Sequence, residues 1–403
     1  MEGPVDLVIV GGGAVGLAAA REAARRGVSA VVLDRRAFLH DDTASGGTSR
    51  QFRIQYDDPA VSRLVLASLP LWERLQEETA EELNTRTGCL WFGDPRAPGA
   101  EGRIDAVLRV MAQLDVPFER LTAHEVTRRF GFTGIPAWWT GFLQPDGAAT
   151  NVKAALRAFR RAAGDSPHVV LRPGERVTAI RAGAGGVRVE TDTGTTVHAA
   201  RLVVAAGPET NSVLRLLGFE LDITTWTTAS AYFRTTSSAA DLPTWIDFQA
   251  STDADPGLYY GFPELSWERP GFVRVGANYP SRVRREPDER PGPPDPRDVA
   301  RIGDWVRGHM PWLDPTPVDA SACTCALFTR PDEPGRLARE LLVDFAPEHP
   351  DVVVCATGWV FKIAPLLGAI CVDLALEGRT DHDITSAALR PDLWRPTAIG
   401  ATR

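Results

Sequence analysis

Hydrophobic residues in the N-terminal part of the chain follow two different patterns in turn. Residues Val5 to Val10 are a short apolar run before a glycine-rich segment, which is typical of a strand buried on both faces of a parallel sheet. From Ala14 to Arg26 the apolar positions follow a helical period, and arginines occupy the last turn, where they suit the helix dipole. Ser29 to Leu33 is apolar again. These patterns predict a strand, a helix and a second strand joined by a right-handed connection.

Similar strand patterns recur much later in the chain, each bounded by turn residues. The last of them leads through Gly358 into a helical stretch from Ala364 to Glu377. Because such patterns alternate with helices over the whole length, we expect an α/β protein in which distant segments build one sheet. The chain between these segments is then expected to form a second domain. The additional predicted strands cover residues 178–180, 187–190, 202–205 and 352–355.

A G-x-G-x-x-G motif, formed by Gly11, Gly13 and Gly16, lies between the first predicted strand and helix. Asp34 ends the next strand, 23 positions after Gly11. The glycines permit a tight turn and the close approach of a pyrophosphate to a helix N-terminus, and a carboxylate at this distance can bind a ribose diol. The motif in this context predicts a Rossmann-like dinucleotide-binding domain. By itself it does not distinguish FAD from NAD.

Two features favour FAD as the dinucleotide. The motif lies at the beginning of the sequence, and residues 201–208 (RLVVAAGP) resemble the turn by which many two-domain flavoproteins return to the cofactor. Gly207 belongs to this turn. Arg35 and Arg36 follow Asp34 directly; in an NAD(P) enzyme they could select a phosphate, and here they could equally be exposed basic residues.

The composition is that of an ordinary globular enzyme. A length of 403 residues predicts two or three domains, and 44% hydrophobic with 24% charged residues is close to the average for soluble proteins. The formal charge of −8 disfavours nucleic acid as a partner. Neither the five cysteines nor the seven histidines have the spacing of a disulfide framework or a metal site. Since neither a signal peptide nor an apolar run long enough to span a membrane is evident, we expect a cytoplasmic protein.

Lysine and tryptophan are distributed unusually. Lys153 and Lys362 are the two lysines among 44 basic residues, so each is a candidate for a role that arginine cannot fill. Residues 87–145 and 223–327 contain eight of the 11 tryptophans. This enrichment suits a ligand-facing sheet and favours a cyclic or aromatic substrate, although at any one position a large side chain that fills the core is the commoner explanation.

Five segments together resemble flavoprotein amine oxidases. They are the Gly11 motif, residues 46–53 (GGTSRQFR), residues 259–263 (YYGFP), Cys325 with residues 329–333 (TRPDE), and residues 358–365 (GWVFKIAP). Over nearly its full length the chain resembles the family typified by monomeric sarcosine oxidase and N-methyltryptophan oxidase, within the D-amino-acid-oxidase-like group. The resemblance implies an FAD enzyme that oxidises the C–N bond of an amino acid, or of a secondary or cyclic amine that carries a carboxylate. Hydride would pass to the flavin, with O2 as the acceptor.

The resemblance also implies roles for individual residues. Arg50 would lie near the flavin ring, while Arg53 and Lys362 would hold the substrate carboxylate. Cys325 would form a thioether to the flavin 8-methyl group, and Cys323, two residues away, is its rival. The other residues assigned to the cofactor are Arg35, Val177, Gly207, Gly358 and again Lys362, and those assigned to the substrate are Tyr260 and Trp359.

Three positions depart from the family pattern. Ser45 and Gly46 stand where sarcosine oxidase has paired histidines, and Gly358 is followed by Trp-Val in place of a Gly-His-Gly turn. Both differences weaken the expectation of covalent attachment. The oxygen-activating lysine of the family falls on Arg274, which keeps the positive charge but leaves both an oxidase and a dehydrogenase open. We identify no catalytic base.

The expected organisation combines a discontinuous Rossmann-like FAD-binding domain with a second, mainly antiparallel α+β substrate domain. A small-molecule amine or amino acid and O2 are the expected partners, and a monomer is compatible with the sequence. The alternatives are an FAD-dependent dehydrogenase or monooxygenase that acts on a different substrate in specialised metabolism, and a flavin-binding module without turnover. Residues 285–298 are rich in proline and charge and are expected to form a surface loop. The FAD-binding domain is assigned residues 1–86, 146–222 and 328–390, and the substrate domain residues 87–145 and 223–327.

Overall fold

The computed structural model has a mixed α/β architecture, as the sequence predicts. It describes residues 3–41, 43–97, 102–183, 185–237, 241–250, 252, 257–287, 292–329, 337–338, 341–356, 358, 360–385 and 393–397. The α-helices are α1 (Ala14–Arg25), α2 (Pro59–Thr79), α3 (Ile104–Gln113), α4 (Ala123–Phe130), α5 (Val152–Gly164), α6 (Thr210–Leu214), α7 (Pro296–His309) and α8 (Ala364–Glu377). The strands are β1 (Val5–Val10), β2 (Ala30–Asp34), β3 (Ser49–Phe52), β4 (Asn84–Arg86), β5 (Cys89–Gly93), β6 (Glu119–Thr122), β7 (Thr140–Gln144), β8 (Ala148–Asn151), β9 (Val169–Pro173), β10 (Val177–Gly183), β11 (Gly186–Thr191), β12 (Thr196–Val204), β13 (Phe219–Leu221), β14 (Ile223–Arg234), β15 (Thr244–Phe248), β16 (Tyr259–Gly261), β17 (Phe272–Ala277), β18 (Arg282–Arg284), β19 (Asp319–Thr329), β20 (Leu337–Ala338), β21 (Leu342–Ala346), β22 (His349–Ala356) and β23 (Trp394–Pro396).

An eight-stranded sheet forms the first half of the architecture. Its centre is parallel, in the order β9, β2, β1, β12 and β22, while β10, β11 and β21 pair antiparallel with their neighbours. Val10 at the end of β1 pairs with Leu33 of β2 and with Val204 of β12. The carboxyl ends of three parallel strands therefore meet at one edge, where ligands bind in sheets of this kind.

Helices α1 and α8 pack closely on this sheet. A Cβ added at Gly368 of α8 would lie 2.5 Å from the carbonyl carbon of Ala18 in α1, so the two helix backbones approach as only glycine allows. A one-turn 3-10 helix, Phe361–Ile363, precedes α8. Because α8 is held against α1, the segment before it is placed next to the carboxyl edge of the sheet.

A ten-stranded sheet forms the second half, in the order β20, β19, β14, β17, β16, β15, β5, β7 and β6, with β18 paired to β14. Its pairs are antiparallel except that between β15 and β5. A small antiparallel sheet of β3, β8 and β4 lies beside the large sheets, and β13 pairs with β23. The second large sheet thus has the mainly antiparallel character predicted for it.

Most tryptophans of the enriched segments belong to the core. Trp245 stacks on Trp305, with ring centroids 4.8 Å apart, and Tyr259 stacks on the same indole at 5.2 Å. Of the eight tryptophans, Trp226 lines the cavity described below, whereas Trp138 is 54% exposed. The aromatic count therefore reflects packing and no longer indicates the size of a substrate. The five buried members are Trp91, Trp139, Trp245, Trp305 and Trp312.

The segment 285–298 is not irregular throughout, contrary to the prediction. Helix α7 begins at Pro296, and the side chain of Asp295 accepts a hydrogen bond from the Arg297 backbone amide. An aspartate at the N-cap followed by proline at the first helical position is a standard helix start. The prediction missed this helix start because it was based on the proline-rich composition of the whole segment.

Within the described part of the chain, every helix is too short or too polar to cross a lipid bilayer.

Candidate active site

A cavity of about 510 Å³ is lined by residues of both large sheets and of β3. One end lies at the carboxyl edge of the parallel sheet, beside Gly11, Gly13 and Asp34. The other end lies against β15, β16 and β19 of the antiparallel sheet. The cavity therefore connects the predicted dinucleotide site with the surface predicted to bind substrate.

The glycine motif has the close backbone packing that its chemistry needs. Gly11 has a φ of +112°, and a Cβ there would lie 2.3 Å from the carbonyl oxygen of Ala205. A Cβ at Gly16 would lie 1.8 Å from the carbonyl oxygen of Gly11. Gly11 and Gly13 line the cavity, whereas Gly16 permits the packing of α1 against the turn. The N-terminus of α1 is thereby open toward the cavity and suited to a pyrophosphate.

Asp34 and Arg35 lie at the same end. The Asp34 carboxylate accepts hydrogen bonds from the Gly12 amide at 2.6 Å and the Arg36 amide at 2.8 Å, which fix it at the cavity wall. Arg35 forms an ion pair with Glu209, and both line the cavity. Burial lowers the pKa of Arg35, with Glu209 opposing the effect. Arg35 is therefore part of the wall, paired with a carboxylate that the sequence did not identify.

Val177 of β10 and Gly207 after β12 also line the cavity. Gly358 lies at its other side, against β19: a Cβ there would lie 2.2 Å from the carbonyl oxygen of Ala326 and 3.1 Å from Cβ of Cys325. Glycine is therefore required where this segment crosses β19. Trp359 lies outside the described residues, as do Asp332 and Glu333 of the TRPDE segment.

Ser45 and Gly46 each have a local structural role. The Ser45 hydroxyl accepts a hydrogen bond from the Ala14 amide at 3.0 Å and so satisfies one free N–H at the start of α1. A Cβ at Gly46 would lie 2.0 Å from the carbonyl oxygen of Asp41. The serine therefore supports the helix N-terminus that faces the cavity, and the glycine allows the tight loop before it.

Arg50 lies next to the two cysteines of β19. Its Nη2 donates to the Gly46 carbonyl at 2.7 Å and to Sγ of Cys323 at 3.3 Å. Cys323 and Cys325 are two residues apart on one strand, so they share a face, and both line the cavity. The structure therefore brings Arg50 and both candidate thiols together, with the cation in contact with Cys323.

Arg53 and Lys362 form a pair of buried cations at the cavity wall. They are 3% and 7% exposed and both line the cavity. Cζ of Arg53 lies 4.7 Å from the ring centroid of Tyr56, and Nζ of Lys362 lies 5.6 Å from the same centroid. One aromatic ring thus backs both cations. Two buried positive charges that share one aromatic ring and one cavity suit an anionic ligand such as a carboxylate.

Helix α2 fixes the backbone of Lys362. Ser68 Oγ and Trp72 Nε1 donate to the Lys362 carbonyl oxygen at 3.0 and 2.7 Å. The indole of Trp72 also stacks on Phe361, with centroids 6.4 Å apart. The lysine is therefore held on a short helical turn that two elements position.

Arg274 of β17 is buried at the cavity wall beside a carboxylate. Its Nη2 donates to the Ser49 carbonyl at 2.9 Å, and its Nε lies 3.8 Å from Oε1 of Glu268. Burial alone would lower the pKa of Arg274, but the charge of Glu268 acts together with Tyr260, Tyr232 and Cys323 and raises that pKa above the usual value. Thr48 Oγ1 donates to the same carboxylate oxygen at 2.6 Å. Arg274 therefore keeps its charge, partly balanced by Glu268.

Tyr260 of β16 also lines the cavity. Burial raises the pKa of its phenol, so the hydroxyl stays protonated at neutral pH. Gly276 leaves the space for the ring, since a Cβ there would lie 2.4 Å from its Cζ. The side chain is placed to contact a ligand as a neutral hydrogen-bonding group.

Several residues of the cavity wall or in contact with it were not identified from the sequence. Ser45 was noted as a departure, but its contact with α1 was not expected. Tyr56 and Gln51 lie beside the Arg53 motif, and alternation along the strand could have drawn attention to Gln51, two residues before Arg53. Glu209 comes close to Arg35, and Glu268 to Arg274, through tertiary packing alone. The sequence around the two glutamates does not indicate these contacts.

Known proteins similar to this chain include amine and amino-acid oxidases. Human peroxisomal sarcosine oxidase is 27% identical over 392 residues, covering 94% of each protein. A Dictyostelium discoideum protein named as a bifunctional amine oxidase is 29% identical over 405 residues, and the chain spans 37% of its length. Among solved structures, NikD, an unusual amino acid oxidase essential for nikkomycin biosynthesis, aligns with a TM-score of 0.88 at 38% identity, covering 96% of this chain and 98% of NikD.

These similarities confirm the resemblance to sarcosine oxidases inferred from the motifs. The model of the DAO family, described as FAD dependent oxidoreductase, matches residues 6–374. That match includes the glycine motif, the strands around the cavity and the Lys362 segment. The chain therefore belongs to the family of FAD dependent oxidoreductases.

Proposed function

We propose that this FAD enzyme oxidises the C–N bond of an amino acid, or of a secondary or cyclic amine that carries a carboxylate. The pair of buried cations formed by Arg53 and Lys362 carries the proposal, because it offers two charged partners for one carboxylate at the cavity wall. A guanidinium can bind a carboxylate in a bidentate manner, and the ammonium adds a second fixed charge.

The residues present fit FAD. The tight backbone packing at Gly11, the open N-terminus of α1 and the anchored Asp34 carboxylate provide for a pyrophosphate and a ribose at one end of the cavity. Val177 and Gly207 complete that wall, and Arg50, Gly358 and Cys325 lie further along the cavity. Bound FAD supplies a hydride acceptor.

Arg53 and Lys362 contribute orientation in this proposal. By holding the carboxylate they fix the position of the neighbouring carbon and reduce the entropy lost on reaching the reactive geometry. The Tyr56 ring and the hydrogen bonds to the Lys362 carbonyl limit the movement of the two cations. Tyr260 offers a neutral hydroxyl toward the ligand. We assign no side chain as the base that removes the amine proton.

O2 is the electron acceptor that we propose. A permanently charged Arg274 at the cavity wall supports it, since a fixed cation stabilises negative charge that develops during reduction of oxygen. The buried Glu268 carboxylate 3.8 Å away reduces that field and favours a dehydrogenase as the second candidate. The rates at which air and an artificial electron acceptor reoxidise the reduced protein distinguish the two candidates. Fast reoxidation by air indicates an oxidase, and reoxidation by the artificial acceptor alone indicates a dehydrogenase.

The test of the overall proposal is reduction of the flavin. Anaerobic addition of a carboxylated secondary amine is expected to bleach the visible absorbance of the yellow protein, because hydride enters the isoalloxazine ring. A panel of cyclic, aromatic and small amino acids then defines the substrate class. A protein that keeps its absorbance with every member of the panel would argue for a different substrate or for a binding module.

We further propose that FAD is attached covalently through Cys325. Aligning the chain with the resembling family on the Asp332-Glu333 pair puts the flavin-linking cysteine at Cys325, seven residues before Asp332, and this supports Cys325. The hydrogen bond from Arg50 to Sγ of Cys323 supports Cys323 as the rival. Acid precipitation is expected to leave the yellow colour with the polypeptide. Cys325→Ser is expected to release the cofactor on acid treatment and Cys323→Ser to retain it, because a serine hydroxyl is a much weaker nucleophile than a thiolate. Complete release of FAD from the wild-type protein on acid treatment would show that the cofactor is not covalently bound. The assignment as a flavoenzyme would still stand.

The division of the chain is also a proposal. Residues 1–86, 146–222 and 328–390 would form the FAD-binding domain, and residues 87–145 and 223–327 the substrate domain. The membership of the two large sheets supports it, since the first is built mainly from the former segments and the second from the latter. We propose that the enzyme is a monomer and that it is located in the cytoplasm. Gel filtration tests the oligomeric state.

A further inference from the structure

The orientation of one amide at the cavity wall is set by its surroundings. Nε2 of Gln51 donates to the carbonyl oxygens of Trp245 at 3.0 Å and Gly261 at 3.1 Å. These two residues are paired across β15 and β16, so both acceptors belong to the sheet backbone. A carbonyl oxygen cannot donate, and the nitrogen of the amide must therefore face the sheet. Oε1 is left as the outer atom of the side chain.

Oε1 of Gln51 is a hydrogen-bond acceptor available to the cavity. The side chain is partly buried and lines the cavity, and Oε1 has no hydrogen-bond partner among the residues that the structure describes. Ile246 and Tyr260, next to the two bonded carbonyls, line the same wall. When a ligand binds, it displaces the water around this amide oxygen. The ligand must then supply a hydrogen-bond donor, because an unpaired buried acceptor costs binding free energy.

The position of Gln51 relative to Arg53 points to the nature of that donor. Gln51 lies in β3, which ends at Phe52, and Arg53 is the next residue, so the two residues are separated along the chain by at most roughly 7 Å. Both residues line the cavity, and Arg53 is one of the two cations proposed to bind the carboxylate. In an α-amino acid or a cyclic imino acid the nitrogen is attached to the carbon that bears the carboxylate. A ligand held at Arg53 therefore presents its nitrogen within reach of Gln51.

We propose that Gln51 is a specificity-determining residue that accepts a hydrogen bond from the substrate nitrogen, so the site selects ligands that carry an N–H beside the carboxylate. The proposal rests on the proposed function, because it takes the carboxylate position from Arg53 and Lys362. It adds a second point of recognition, and two points fix the orientation of a small ligand where one would allow rotation. Because Gln51 is neutral, it selects the donor without adding charge beside the two cations.

A pair of isosteric probes tests the proposal without turnover. Pyrrole-2-carboxylate carries an N–H donor next to the carboxylate, whereas furan-2-carboxylate has an acceptor oxygen at the same place. Titration of the FAD-loaded protein, followed by the flavin absorbance and by calorimetry, is expected to give about tenfold tighter binding of the pyrrole, since one hydrogen bond is gained and one unpaired acceptor is avoided. In Gln51→Met the ratio of the two Kd values is expected to fall to about one, with furan-2-carboxylate binding nearly unchanged.

The control is Gln113→Met at the exposed end of α3, which is expected to keep the wild-type ratio. Equal affinities of the two probes for the wild-type protein would overturn the proposal, as would a ratio that survives in Gln51→Met. An equal loss of both affinities, together with a changed flavin spectrum in the absence of ligand, would assign Gln51 to the cofactor instead. If neither probe bound to the wild-type protein, the carboxylate site of the proposed function would itself be wrong.

Discussion

Replacing Lys362 with methionine is expected to lower kcat/KM for a carboxylated amine by about 10²- to 10³-fold. Removing one partner of a buried charged contact costs roughly 2–5 kcal/mol, and each 1.4 kcal/mol is a factor of ten. Methionine has nearly the same length and can still pack against Tyr56, so the change removes the charge and little else. Both KM and kcat should suffer, because a carboxylate held by Arg53 alone is less well oriented. Steady-state kinetics with the identified substrate measures the effect.

The chain offers a matched control in its second lysine. Nζ of Lys153 lies 3.2 Å from Oδ2 of Asp41 in a half-exposed pair, and neither residue lines the cavity. Lys153→Met is expected to leave kcat/KM unchanged, since exposed ion pairs contribute little. Oxidation of the corresponding amine without a carboxylate should be similar in the wild type and in Lys362→Met. If Lys362→Met lost equal activity on both amines, the lysine would not act on a carboxylate.

Replacing Gly11 with alanine is expected to give protein that contains little or no FAD. The new Cβ would lie 2.3 Å from the Ala205 carbonyl oxygen at a φ of +112°, so the turn between β1 and α1 must move. A side chain forced into this backbone region costs about 1–3 kcal/mol before the steric clash is added. The flavin absorbance per mole of purified protein measures the loss. FAD content equal to that of the wild type would show that the turn does not hold the cofactor.

Two further variants separate loss of the cofactor from loss of the fold. A Cβ at Gly13 would approach the Ser45 hydroxyl at 3.0 Å, a milder contact, so Gly13→Ala is expected to fold and to bind FAD more weakly. Gly308 lies in the last turn of α7, where an added Cβ meets none of the described atoms within 4 Å. Gly308→Ala is therefore expected to retain both FAD and the wild-type Tm.

The part of the fold nearest the glycine motif could be predicted almost residue by residue. Strand β1 covers the predicted residues, β2 is shifted by one residue, and α8 has the predicted bounds. In these elements the local apolar pattern and the tertiary environment agree, since the two strands are buried within the parallel sheet and α8 is buried against it. Helix α7 was missed because an Asp-Pro start at residue 295 lies inside a segment whose composition indicates a loop.

The candidate site was predictable only to the extent that the motifs named its residues. Arg53 and Lys362 came from the resemblance, and the structure brings them to one ring. The ring itself, Tyr56, was not named, because a tyrosine three residues after an arginine has no special meaning until the chain folds. The same holds for Glu268, whose position beside Arg274 depends on the loop between β16 and β17. Contacts of this kind arise from packing between distant segments, which periodicity does not report.

The order of strands in the parallel sheet has a consequence for biosynthesis. Strand β1 pairs with β12, and β12 pairs in turn with β22, which ends at Ala356 of 403 residues. During synthesis the part of the β12 edge beyond β11, residues 202–204, stays open until β22 has left the ribosome, and Lys362 follows later still. Such distant pairings make folding slow, and an open strand edge is prone to association with other chains. A chain truncated before residue 349 therefore lacks both the strand that covers this part of the sheet edge and one of the two buried cations, so the proposed carboxylate site is complete only after β22 and the Lys362 segment have been made.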